Sequence, residues 1–113
     1  MEEVQNSWTA ETDEGAAAAL DAAGLLKVAA IAGILAWYVD NCKGAGRCDK
    51  TGSGTFKGKE IPPSITGGGK YKLTLTRITA KLELFDNDGK LVHTYYGKGL
   101  QKGLSGTWEG TWS

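Results

Sequence analysis

The chain has 113 residues, with 13 Lys and Arg against 13 Asp and Glu, a single histidine, two cysteines, two prolines and 17 glycines. That length holds one modest domain with its own core. One histidine and two cysteines cannot furnish the four ligands of a structural zinc site, and glycine-rich but proline-poor composition points to turn-rich β-structure, not disorder.

The zero net charge hides an asymmetry. Residues 1–40 contain seven acids and one base, and residues 41–113 contain six acids and twelve bases. Complementarity within the chain or between subunits accounts for such a split. So does a basic β-surface that meets anionic lipid. Nucleic acid is the weaker partner, because the lysines are scattered along strands and cluster around no RNA-binding motif.

Residues 1–13 read as an acidic arm with Trp8 as its one large apolar side chain. The opening residues are the opposite of the basic n-region of a secretory signal. The expectation is a protein that is cytosolic, exported by a dedicated route, or a mature form.

Residues 14–40 read as one long apolar helix. Thr12 or Asp13 can cap it, Glu14 suits the positive end of its dipole, and alanine supplies propensity. Leu20, Ile31, Ile34, Leu35 and Tyr38 recur at helical spacing. Ala18, Ala22, Ala29, Gly33 and Ala36 form a strip of small residues that admits a second backbone. The stretch from Ala22 to Val39 falls just short of the ~20 residues needed to span a bilayer, and Lys27 interrupts it. The helix is therefore expected to be buried in protein or inserted in lipid, with Ala29, Ile31, Gly33, Ile34, Leu35 and Trp37 as the contact residues.

Residues 41–54 read as a glycine/Cys hinge. Cys42 and Cys48 flank "KGAGR", a loop short enough to close as a disulfide if the Cβ atoms converge; two free thiols are the alternative. Residues 55–113 read as an antiparallel β domain, a sheet or a small barrel, so the fold class expected is α+β. Residues 55–61 form a strand ended by Pro62 and Pro63. The apolar residues of 71–86 change phase between Leu75 and Ile78, which implies a bulge or a short turn. "DNDGK" is a hairpin loop whose acids are too few and too close for an EF-hand. The return strand carries His93. The last segment places Trp108, Gly110 and Trp112 on one face. Those rings read as core or edge packing, with ligand stacking as the functional alternative. Lys57, Lys59, Lys70, Lys72 and Lys81 make up the expected basic surface.

Little in this inventory supports catalysis. His93 has no evident nucleophile or orienting group, no serine or cysteine sits in a nucleophile motif, and "TGGGK" lacks the phosphate-loop pattern. The chain is expected not to be an enzyme and to need no cofactor.

The segment "LELFDNDGKLVHTYYGKGLQKGLSGTWEGTWS" (Leu82 to Ser113), with its Phe-Asp strand end, Asp-Gly turn, and glycine-rich stretch closing on tryptophan and serine, resembles the end of the virulence-associated proteins of Rhodococcus. "GTFKGK" is similar to a glycine-flanked strand of that family. The resemblance implies a closed antiparallel barrel and an exported, non-catalytic effector linked to changes in host endolysosomal membranes. It covers about the last third of the chain and carries over no functional residues. The functional expectation is an effector or toxin-like protein acting on an anionic membrane or a partner protein. The alternative is a subunit of a symmetric homo-oligomer held by helix packing.

Overall fold

A computed structural model describes residues 23–113, which form eight antiparallel strands closed into a barrel. In chain order these are β1 (Leu25–Ile31), β2 (Ile34–Val39), β3 (Cys42–Arg47), β4 (Gly52–Gly58), β5 (Gly69–Leu75), β6 (Thr79–Phe85), β7 (Leu91–Lys102) and β8 (Gly106–Trp112). Around the barrel the order is β1-β2-β3-β8-β5-β6-β7-β4. The halves β4-β1-β2-β3 and β8-β5-β6-β7 each have the 4-1-2-3 order of a Greek key. The chain therefore draws one motif twice, without a lasting sequence repeat.

The expected α+β class is overturned: the fold is all-β, and no described residue is helical. Residues 25–39 of the supposed apolar helix are two strands. Their burial alternates, with Leu26, Val28, Ala30, Leu35, Trp37 and Val39 inside and Lys27, Ala29, Ile31, Ile34, Ala36 and Tyr38 outside. The helical spacing was produced by the turn. Ile31 and Ile34 flank a two-residue loop in which Ala32 and Gly33 have φ of 57° and 86°, the double positive φ of a type I′ hairpin. Two period-2 segments joined this way put apolar residues three and four apart. Alanine propensity lost to β-branched and aromatic residues with a barrel to close. Among the described residues no helix is long and apolar enough to cross a membrane. Residues 1–22, including the arm with Trp8 and the proposed helix start, lie outside the described residues.

The supposed hinge, residues 41–54, contains β3 and the start of β4. The phase change between Leu75 and Thr79 is a short turn, fastened by Thr76 Oγ1, which accepts the Thr79 N–H at 2.9 Å. At "DNDGK" Asp86 Oδ1 accepts the N–H groups of Asp88 and Lys90, both at 2.9 Å. The extra residue Val92 bulges where the register passes from Leu84–His93 to Phe85–Leu91.

Inside the barrel the two inner faces interdigitate around Trp37, Phe56, Tyr71, Tyr95, Leu26, Leu35, Leu73, Leu82 and Leu84. An eight-stranded barrel is about wide enough for side chains to fill it. The Trp37 and Tyr71 rings meet edge to face at 5.2 Å and 85°. Gly44 is required here: a Cβ would lie 2.5 Å from the Trp37 ring.

Polar side chains finish the two ends. At one end Asp40 accepts the Gly24 N–H with Oδ1 and the Ile61 N–H with Oδ2, each at 2.8 Å. The Gly24 carbonyl accepts the Gly58 N–H at 2.9 Å and the Tyr95 hydroxyl at 2.6 Å. Gly24 has φ of 74°, and a Cβ on it would stand 2.0 Å from the Gly58 oxygen. At the other end buried Gln101 donates to the Thr76 carbonyl at 2.9 Å and to Ser105 Oγ at 2.8 Å, and accepts the Leu104 N–H at 2.7 Å. One seam is thin. β3 and β8 share two register pairs, Gly44–Trp112 and Ala45–Thr111, extended by reciprocal bonds between Lys43 and Ser113.

Burial, reinforced by the Asp40 charge, pushes the Tyr95 hydroxyl up to about 12. The unfolded hydroxyl ionises near 10. Between these values the unfolded chain has lost a proton that the folded one keeps, so stability falls as pH rises. The Tyr95 contribution is whole below pH ~10 and is lost as pH climbs through ~12, a change on the order of 2 kcal/mol. Urea unfolding across this range is expected to show the loss in the wild type and a smaller one in Tyr95→Phe, which itself costs about 1 kcal/mol at neutral pH. Conversely, Ala32→Asn is expected to raise stability by roughly 0.5–1 kcal/mol, because asparagine tolerates this φ better than alanine; the urea midpoint checks it.

Candidate functional site: a cationic trough on the barrel wall

A large concavity lies on the outside of the barrel, a groove of about 1680 Å³ running across β7, β4, β1, β2, β3 and β8. Its origin is a row of small side chains in register. Ser53 lies opposite Ala29, Ala29 opposite Ala36, Ala36 opposite Ala45, and Ala45 opposite Thr111. With strands ~4.8 Å apart, the row spans roughly 19 Å and the six strands of the groove roughly 24 Å. One row further along the strands the side chains are large. Leu100, Thr55, Lys27, Tyr38 and Lys43 stand side by side and make a wall. In the other direction come Ile31, Ile34 and Arg47. Ile31 and Ile34 are 73% and 59% exposed.

The electrostatics are one-sided. Lys27, Lys43, Arg77 and Lys102 line the groove, and no Asp or Glu does. On β5 and β6 the cations have acidic neighbours. Lys72 is in register with Glu83 on one side and Glu109 on the other, and Lys81 Nζ lies 4.0 Å from Glu83. A smaller depression of about 400 Å³ mixes Lys70 and Lys72 with Asp86 and Glu109.

The sequence-derived sites are redistributed accordingly. Of the apolar contact set, Ala29 and Ile34 face outward near or in the trough with Ile31, and Gly33 is at the hairpin tip. Leu35 and Trp37 are core residues. Of the basic set, Lys70, Lys72 and Lys81 are on β5 and β6, the far wall from β1 and β2, and Lys59 follows β4. Lys57 Nζ donates to the Ala23 carbonyl at 2.6 Å. None of these five lines the trough. The four cations that do come from β1, β3, β7 and the turn after β5. Only strand order shows their convergence, although alternation in "KVAAI" would have placed Lys27 and Ala29 on one face.

Trp108 and Trp112 point to the inner side, as their spacing suggested. Trp112 Nε1 donates to the Phe85 carbonyl at 2.8 Å and Trp108 Nε1 to the Leu104 carbonyl at 2.9 Å. Trp112 is buried and Trp108 half-buried, so neither offers an open face for stacking. His93 lies opposite Leu84, with no side-chain hydrogen-bond partner among the described residues. No group of three or more His, Cys, Asp or Glu among the described residues is placed to hold a metal.

Cys42 and Cys48 are free, buried thiols, and the disulfide is corrected. Cys42 begins β3 and Cys48 follows its last residue. An extended strand separates their Cα atoms by roughly 20 Å, against an upper limit of about 7 Å for a bridge. Burial, then the Asp40 charge, raises the Cys42 thiol above its ordinary value.

Compared with protein-family models, curated proteins and solved structures, the chain finds no match.

Both thiols are expected to resist a maleimide reagent at neutral pH in the folded protein and to react together in urea. A mass 2 Da below the reduced chain, an estimate for loss of two hydrogens on bridge formation at ~2.05 Å, would contradict the free state.

Proposed function

We propose that this protein is a non-enzymatic, exported effector-type barrel that acts by contact with an anionic membrane, using the trough and the neighbouring apolar hairpin. The observation that carries this reading is the trough lining: four cations and no Asp or Glu over a floor of Ala, Ser, Thr and backbone. Cations near an anionic headgroup contribute about 1 kcal/mol each. The exposed Ile31 and Ile34 add apolar surface at the same wall, which is the pairing of forces that peripheral membrane binding uses.

A local anomaly supports it. The other two-residue hairpin tip is Asp40-Asn41, and the longer ones are Thr76–Ile78 and "DNDGK". The β1–β2 tip is Ile-Ala-Gly-Ile, with alanine at a positive φ that turn chemistry assigns to asparagine or aspartate. A polar turn has been given up for an apolar one. The resemblance to the virulence-associated proteins points the same way, and a barrel is what that likeness implies. The assembly reading loses its basis, because the residues meant to pack as helices are strands. An isologous contact between two troughs would also set cation against cation.

Flotation of the full chain at low salt tests the proposal. Vesicles with ~30% phosphatidylglycerol are expected to carry the protein, and phosphatidylcholine vesicles are not. About 0.5 M salt, with a Debye length near 4 Å, is expected to release it. Lys27→Gln, Lys43→Gln and Lys102→Gln together should weaken binding on the order of 100-fold. Equal flotation with both lipids, or full binding by the triple variant, would overturn the reading.

A further inference from the structure

The trough is complementary to one segment of the chain itself. Residues 1–22 contain Glu2, Glu3, Glu11, Asp13, Glu14 and Asp21 and no Lys or Arg, while residues 23–113 hold all 13 bases and seven acids. The two parts therefore carry −6 and +6. Within the barrel part of the surplus positive charge, Lys27, Lys43, Arg77 and Lys102, lines one concavity that contains no Asp or Glu.

Position agrees with charge. The acidic segment joins the barrel at Ala23, at the rim between β1 and β4, where the Ala23 carbonyl accepts a bond from Lys57. β1 then runs directly into the trough: Lys27 is in its wall and Ala29 in its floor. From Ala23 to the Lys27 row is about 13 Å along a strand, and the trough is roughly 24 Å across. A chain of 22 residues can reach about 70 Å when extended. Its composition also suits the floor. Ala16 to Ala19, Ala22 and Gly15 are small enough to approach a backbone closely, and Met1, Trp8 and Leu20 are its large apolar groups.

We propose that the trough is the docking site for the acidic residues 1–22 of the same chain, and that an anionic surface competes with them for it. This rests on the reading of the trough as an anion-binding face, and it adds regulation to that site. The acidic segment acts as a built-in competitor. Apparent affinity for an anionic partner is the intrinsic affinity reduced by the fraction of molecules whose trough is vacant. High salt weakens both contacts. A dense anionic surface, which presents many charges at once, displaces the segment.

The experiment uses full-length protein with Glu2, Glu3, Glu11, Glu14 changed to Gln and Asp13, Asp21 changed to Asn. No substitution lies in the barrel. Backbone amide resonances of Ala29, Ala36, Ala45 and Ser53 are compared with wild type at two protein concentrations, and vesicle flotation is run in parallel. Docking in cis predicts that these amides move on neutralisation, at either concentration. It also predicts that they no longer respond to neutralisation when Lys27, Lys43 and Lys102 are already glutamine. The neutralised chain should bind phosphatidylglycerol vesicles on the order of ten-fold tighter, as expected if about nine-tenths of wild-type troughs are covered. Amides that do not move on neutralisation overturn the proposal. Shifts that grow with concentration also overturn it, in favour of docking on a second copy. If the amides move as expected while vesicle binding does not change, docking in cis stands and the membrane reading is the one that fails.

Discussion

The Tyr95 hydroxyl against the Gly24 carbonyl is the contact on which this barrel turns. It joins a side chain of the second Greek key to the entry of the first, across 71 residues of sequence. The same carbonyl also takes the Gly58 N–H, and the Gly24 N–H goes to Asp40. One residue thus ties β1, β2, β4 and β7 together at one end. A glycine is forced by its positive φ and by the 2.0 Å a Cβ would leave to the Gly58 oxygen. Closure at this point lets β1 lie flat between β2 and β4, and this holds Ala29 level with Ser53 and Ala36. The trough is a product of register, and register here is fixed by closure.

Both ends follow the same economy. Asp40 at one end and Gln101 at the other each satisfy backbone groups from separate segments, and each is only partly exposed or buried. Such groups would be costly if orphaned. They sit where loops must cross a barrel mouth and where no ladder can serve the backbone. In the core between them the Trp37 and Tyr71 rings meet edge to face, Trp37 Nε1 and the Tyr71 hydroxyl are buried with no hydrogen-bond partner among the described residues, and burial pushes the Tyr71 hydroxyl up.

The second half of the fold was legible in the sequence because its signals are local. The Asp-Gly loop, the phase change after Leu75, and the alternation in "GTWEGTW" each specify a turn or strand within a few residues. The first half was not, because its decisive turn is Ala-Gly, which carries no turn signature, inside a run of alanines that favours helix. Strand identity there is settled by pairing partners far along the chain: β4 beside β1, and β8 beside β3. The site suffered for the same reason. A lysine count finds Lys70, Lys72 and Lys81, but only topology shows that Glu83 and Glu109 stand beside Lys72. Only topology, too, brings Lys27, Lys43, Arg77 and Lys102 to one concavity.

The narrow β3–β8 seam has a consequence for how the ring fails. A closed sheet has no free edge until one ladder parts, and the ladder with two register pairs parts most readily. The rim then laid bare on β3 is "CKGAGR", a strand of glycine, alanine, lysine and arginine. Sequences of that kind template intermolecular pairing poorly, because they lack side chains that zip together and carry like charges that repel. Parting also bares β8, "GTWEGTW", so the β3 rim is the side of this opening that resists recruiting neighbours into fibres.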